Sequence, residues 1–143
     1  MKTTALFLAL LALPALALAG FRLPAKVFAI SDLEKAKAEA QLKKKPIAVL
    51  YSDKDSTCPL CSDASETILR ELGSKTVMVY VNTKDGLPKS VSDALNVGKF
   101  IPKVAVLDAS LENALGTVTY ESIKEDPRQA FRDIEKAIRA YGK

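Results

Sequence analysis

Two cysteines, Cys58 and Cys61, are the only ones in the chain, and they stand where an apolar run gives way to a helical pattern. Upstream, Ile47-Ala48-Val49-Leu50-Tyr51 is a short continuous apolar run of the kind that forms a strand covered on both faces. Ser52 to Thr57 is a polar loop. Pro59 then falls in the first turn of a helix, where its missing N–H is not needed. Ala64, Ile68, Leu69 and Leu72 make the stripe that helix would bury, and Gly73 ends it. Strand, loop, Cys-Pro-Leu-Cys and helix in that order leave Cys58 at the mouth of the helix, where free amides and the macrodipole favour negative charge. The first thiol is therefore expected to ionise more readily than a free cysteine at about pKa 8.5, with Cys61 near enough to resolve a mixed disulfide.

The segments around this unit alternate between helix and strand. Gly20 to Ile30 reads as irregular or as a short extended arm. Ser31-Asp32-Leu33-Glu34 predicts a capping box, with Ser31 as N-cap, and Leu33, Ala36, Ala40 and Leu42 give the helix a narrow apolar face. Lys43-Lys44-Lys45 complements the C-terminal dipole as a solvated helix end before Pro46 stops it. Thr76 to Val81 is a second apolar strand. Val91, Ala94 and Leu95 suit a short helix between Pro88 and Gly98, and Val104 to Leu107 is a third strand. After a turn at Asp108 to Asn113, Leu115 to Tyr120 alternates as an antiparallel strand nearer the sheet edge does. Asp126-Pro127 caps a last helix whose face is Ala130, Phe131, Ile134, Ile138 and Tyr141. The order is helix, strand, helix, strand, helix, strand, strand, helix, which describes an α/β sheet with helices on both faces.

Composition removes several classes of function. A chain of 143 residues with 48% hydrophobic side chains suits one domain with a full core. The net charge of +4 is modest and its lysines are scattered, which argues against nucleic acid. With no histidine and two cysteines the chain lacks the four ligands of a structural zinc site and the imidazole usual for copper or haem, so no metal or organic cofactor is expected. Residues 1–19 read as a signal peptide, with Lys2 at the charged start, an apolar stretch from Ala5 to Leu18, and Ala17-Leu18-Ala19 as a small-x-small cleavage site. Cleavage would leave residues 20–143 as the folded domain, periplasmic or secreted, in a compartment where disulfides persist. An uncleaved N-terminal anchor is the other reading, and membrane contact is expected only then.

On Cys58-Pro59-Leu60-Cys61 after the first strand, and on Ile101-Pro102 directly before the third, the chain resembles the thioredoxin-like superfamily over about residues 31–142. The resemblance implies a central mixed sheet of about four strands flanked by helices, with an extra N-terminal helix. It also implies that Pro102 is cis and opposes the reactive cysteine, and that Ile101 offers backbone groups to a bound substrate chain. Several positions depart from the pattern. No tryptophan precedes Cys58, Tyr51 and Ser52 stand where thioredoxins proper carry a buried acid, and Lys103 replaces a threonine that often follows the proline.

The chemistry implied is thiol–disulfide exchange, with Cys58 as nucleophile and Cys61 as resolving thiol. Protein thiols or disulfides would be the substrates, and a redox partner protein or a small thiol the only co-reactant; the chain is expected to be a monomer. Lys54 favours the thiolate, while Asp53, Asp55 and Asp63 oppose it. Two other readings stay open. The pair can be a permanent disulfide in a redox-inactive peptide-binding module, although so short a loop stabilises little. A metal-delivery role for two thiolates is the third, short of ligands. For Pro102 the lesser reading is a trans proline entering a strand. Tyr51 and Tyr80 read as core residues with bonded hydroxyls, and Asp53 and Asp55 as turn residues.

Overall fold

Alternation along the apolar strands decides the layering. In the computed structural model, which describes residues 20–143, the chain runs β1 (Phe28–Ala29), a 3-10 turn (Ile30–Asp32), α1 (Leu33–Lys43), β2 (Ile47–Ser52), α2 (Pro59–Leu72), β3 (Val77–Asn82), α3 (Lys89–Ala94), β4 (Lys103–Leu107), β5 (Ala114–Thr119), α4 (Tyr120–Glu125) and α5 (Pro127–Tyr141). The signal peptide expected over residues 1–19 lies outside the described residues. The sheet order is β1-β3-β2-β4-β5. β1 and β2 run parallel to β3, β4 runs antiparallel to β2, and β5 antiparallel to β4. Helices on both faces of this mixed sheet give the thioredoxin-like fold.

Period-2 geometry sends alternate side chains of each strand to opposite faces. Ala48, Leu50, Met78, Tyr80, Val104 and Val106 pack on one face with Ile68 and Leu72 of α2 and Phe131, Ile134 and Ile138 of α5. Ile47, Val49, Val77, Val79, Val81, Ala105 and Leu107 pack on the other with Ala36 and Ala40 of α1 and Val91 of α3. Burial of both faces explains why β2 and β3 read as unbroken apolar runs rather than as alternating ones.

Four expectations are corrected. The sheet has five strands rather than about four, because Phe28–Ala29 pairs with Val79 and Tyr80 along the open edge of β3; two residues are too few for a period to show. Ser31 does not cap α1. Residues 30–32 wind as a 3-10 turn, Asp32 takes the N-cap position without a side-chain cap, and Glu34 turns to Lys37. Leu42 is exposed rather than on the buried face, since α1 turns Leu33, Ala36 and Ala40 to the core. Finally, Tyr120 does not end β5 but begins α4, fixed by a capping box in which Thr119 and Ser122 bond each other's backbone N–H.

Candidate functional site

Register places the two motifs at one end of the sheet. β2 pairs with β4 so that Tyr51 lies opposite Lys103; one residue further along the same register, Ser52 comes level with Pro102. The loop to Cys58 and the Ile101–Pro102 segment therefore leave the sheet side by side. The Ile101–Pro102 peptide is cis and Pro102 is buried. β5 pairs Thr119 with Lys103, so α4 starts at this end too.

Cys58 is the N-cap of α2 in extended conformation, with Pro59 at the first helical position. Its Sγ accepts the backbone N–H of Cys61 at 3.2 Å, and its own N–H donates to Ser56 Oγ at 3.2 Å. Cys58 and Cys61 are joined as a disulfide with their Cα atoms 5.3 Å apart, and both are half-exposed. Leu60, 61% exposed, and Phe100, 58% exposed, stand on the two motif segments. Apart from Leu42 they are the large hydrophobics left in solvent among the described residues, so this end is where apolar surface stays open.

The loop between β2 and Cys58 is held by Tyr80. Its hydroxyl donates to the Ser52 carbonyl at 3.1 Å and accepts from the Lys54 N–H at 2.9 Å and Asn82 Nδ2 at 3.2 Å. Phe21 meets the Tyr80 ring edge-on, and its N–H donates to the Lys54 carbonyl. Asp53 Oδ1 accepts the Asp55 N–H, a turn bond. Tyr51, on the opposite face by alternation, donates its hydroxyl to the Thr83 carbonyl. Both tyrosines are thus structural, and the two loop aspartates shape the turn.

Beneath the disulfide sits a pair of hydroxyls, of which sequence reading noted Ser52 only as a departure from a pattern and Ser65 not at all. Ser52 points to α2, fully buried, with Oγ 2.9 Å from Ser65 Oγ. Ser65 donates its proton to the Cys61 carbonyl at 2.8 Å, so Ser52 donates to Ser65. The position under Cys61 therefore carries no titratable group. Glu121 escaped sequence reading: it is set against the segment before Ile101, and its separation from that segment along the chain left no local signal. Lys103, noted in the sequence only for the threonine it replaces, reaches the same segment from five and six residues away.

Among the described residues no three His, Cys, Asp or Glu side chains converge on a point that could hold a metal. A groove of about 540 Å³ runs between β5 and α5, lined by Gly116, Asp126, Gln129, Asp133 and Ile134 among others. None of Cys58, Cys61, Ile101 and Pro102 borders it, so the groove lies apart from the two motif segments.

No family model matches the chain, and no curated protein matches it. Among solved structures, that of thioredoxin O2 from Arabidopsis thaliana in the oxidized state is similar at a TM-score of 0.45 and 14% identity, covering 76% of this chain and 96% of that one.

Proposed function

We propose that the protein is an exported thiol–disulfide oxidoreductase acting on protein thiols or disulfides. The observation that carries the reading is Cys58 Sγ at the N-cap of a 14-residue helix, bonded to Cys61 and receiving its N–H at 3.2 Å. A donor aimed at sulfur, together with the helix N-terminus, stabilises negative charge there when the disulfide opens. In the reducing direction, Cys58 thiolate attacks a substrate disulfide, forming a Cys58–substrate bond and releasing one substrate thiolate. Cys61 thiolate then attacks Cys58 Sγ, closing the Cys58–Cys61 disulfide and releasing the second. Two electrons pass to the substrate, and protons from water neutralise its thiolates. The oxidised form runs the same steps backwards on a substrate dithiol. Ile101, ahead of Pro102, is the residue offered to an extended substrate backbone. Export rests on the leader pattern of residues 1–19, and intact mass of the exported protein checks cleavage before Gly20.

Equilibrating the protein in glutathione buffers and counting alkylated thiols tests the reading. A potential between about −270 and −120 mV supports exchange, whereas one below about −300 mV marks a structural disulfide. Cys61→Ser should trap mixed disulfides.

A second reading draws on the Ser52–Ser65 pair. With hydroxyls rather than an acid beneath Cys61, no buried base is at hand to take its proton, which suits a locked disulfide in a peptide-binding module. Peptide binding that survives a Cys58→Ser, Cys61→Ser double substitution would favour it.

A further inference from the structure

Residues 97–100, directly before Ile101–Pro102, belong to no helix or strand, yet charged side chains hold both their amides and their carbonyls. Glu121 Oε1 accepts the N–H groups of Lys99 at 2.7 Å and Phe100 at 3.3 Å. From another element, Lys103 Nζ donates to the Val97 carbonyl at 3.0 Å and reaches the Gly98 carbonyl at 3.5 Å. The carboxylate is packed tightly on this turn. Gly98 has φ +66°, and a Cβ there would stand 2.9 Å from Glu121 Oε2. That oxygen is buried without a hydrogen-bond partner, an arrangement a freely rotating side chain would leave for water. Beside it, the Tyr120 ring meets Phe100 edge-on with centroids 6.2 Å apart.

We infer that Glu121 and Lys103 form a charge clamp on residues 97–100 that fixes the Ile101 backbone relative to Cys58, making them positioning residues for an extended substrate chain. The register explains the device. Lys103 pairs with Thr119, so the first residue of β4 and the first turn of α4 come from adjacent strands and meet the same turn from two sides. Neither residue touches the sulfur atoms, so the clamp acts on substrate pairing and not on bond exchange. A turn released from it would have to be ordered anew each time a substrate bound. This inference rests on the proposed redox function.

Two measurements on the full chain test it and separate its failure from failure of that function. Amide hydrogen exchange reads the clamp itself: in Glu121→Ala the Lys99 and Phe100 amides should exchange about tenfold faster or more, with the sheet amides unchanged. Insulin reduction reads its purpose: Glu121→Ala and Lys103→Met should raise KM about three- to tenfold, with kcat and the rate of Cys58 alkylation by iodoacetamide held within about twofold. Glu121→Gln, which keeps an acceptor oxygen, should recover most of the loss. Unchanged exchange at both amides overturns the inference, as does a uniform rise across the sheet or an equal fall in kcat and Cys58 alkylation. If Glu121→Ala does not fold, Lys103→Met is read instead, and an unchanged KM there overturns it. A wild-type protein that does not reduce insulin refutes the redox function, while the amide exchange still judges the clamp.

Discussion

Two carboxylates hold turns at opposite ends of β4, and they do so in different ways. Asp108, just past Leu107, gathers Ser110 Oγ at 2.8 Å, Asn113 Nδ2 at 2.6 Å and the Glu112 N–H at 3.0 Å, all within five residues. Leu111 turns its φ to 66° and buries its side chain under the bend. Burial alone would raise the Asp108 pKa, but the Asn113 and Ser110 side chains and the Asn113 and Glu112 amides outweigh it and hold it below the usual carboxylate value. Glu121, at the Lys103 end, is also lowered, chiefly by the Lys99 N–H. Its partners there lie 22 and 21 residues away. One turn closes on itself, while the other is tied to a neighbouring element and stands beside a half-exposed disulfide. A self-contained bend stabilises a fold, whereas a bend held from outside can carry a function and be tuned without rebuilding the core.

The sharpest way to break that contrast is to cross the two ends. Cys58→Ser should reduce disulfide exchange to background while leaving the fold intact, and Asp108→Ala should leave exchange unchanged; insulin turbidity and thermal unfolding of both variants check this. Loss of exchange in Asp108→Ala would mean that the ends are coupled. Gly98→Ala comes next. It forces an alanine to φ +66° against the Glu121 carboxylate, which should cost about 1–3 kcal/mol in urea unfolding.

The Asp108 turn predicts a smaller and pH-dependent effect. A carboxyl whose folded pKa is depressed contributes stability that is fully present above its unfolded value, about 3.9, and is lost as pH falls through the lower folded value. Asp108→Ala should thus be less stable than wild type by about 1 kcal/mol near neutrality, from the lost hydrogen bonds. The difference should shrink as pH falls below about 4, which denaturant midpoints at pH 7 and pH 3 would show. Smallest of all is Lys89→Ala. The Lys89–Asp93 pair at 2.7 Å is exposed on both sides, and its removal should change stability by no more than about 0.5 kcal/mol. A larger loss would show that α3 depends on surface charge rather than on buried Val91 and Leu95.

Legibility followed distance along the chain. The Asp108 turn was readable because its polar partners sit within one short window, and α5 because Asp126, Pro127 and the Phe131, Ile134, Ile138 spacing announce a cap and a face. The Ser31 capping box misled because the same residues also suit the first turn of a 3-10 segment, which β1 docking selects. α4 was missed because six residues from Tyr120 carry no helical period, and its cap pairs Thr119 with Ser122 rather than with Glu or Gln.

The sequence by itself determined the strands buried on both faces, the helix opened by Pro59, and the thiol pair at its mouth, since propensity, period and capping act over a few residues. The tertiary structure alone decided what surrounds that pair. It was the β2–β4 register that brought Pro102 level with Ser52, strand alternation that put Ser52 on Ser65, and β4–β5 pairing that set Lys103 and Glu121 on residues 97–100. Apart from the reach of Lys103 to its own turn, those contacts join residues far apart in the chain, and only the packing of the sheet fixes which of them meet.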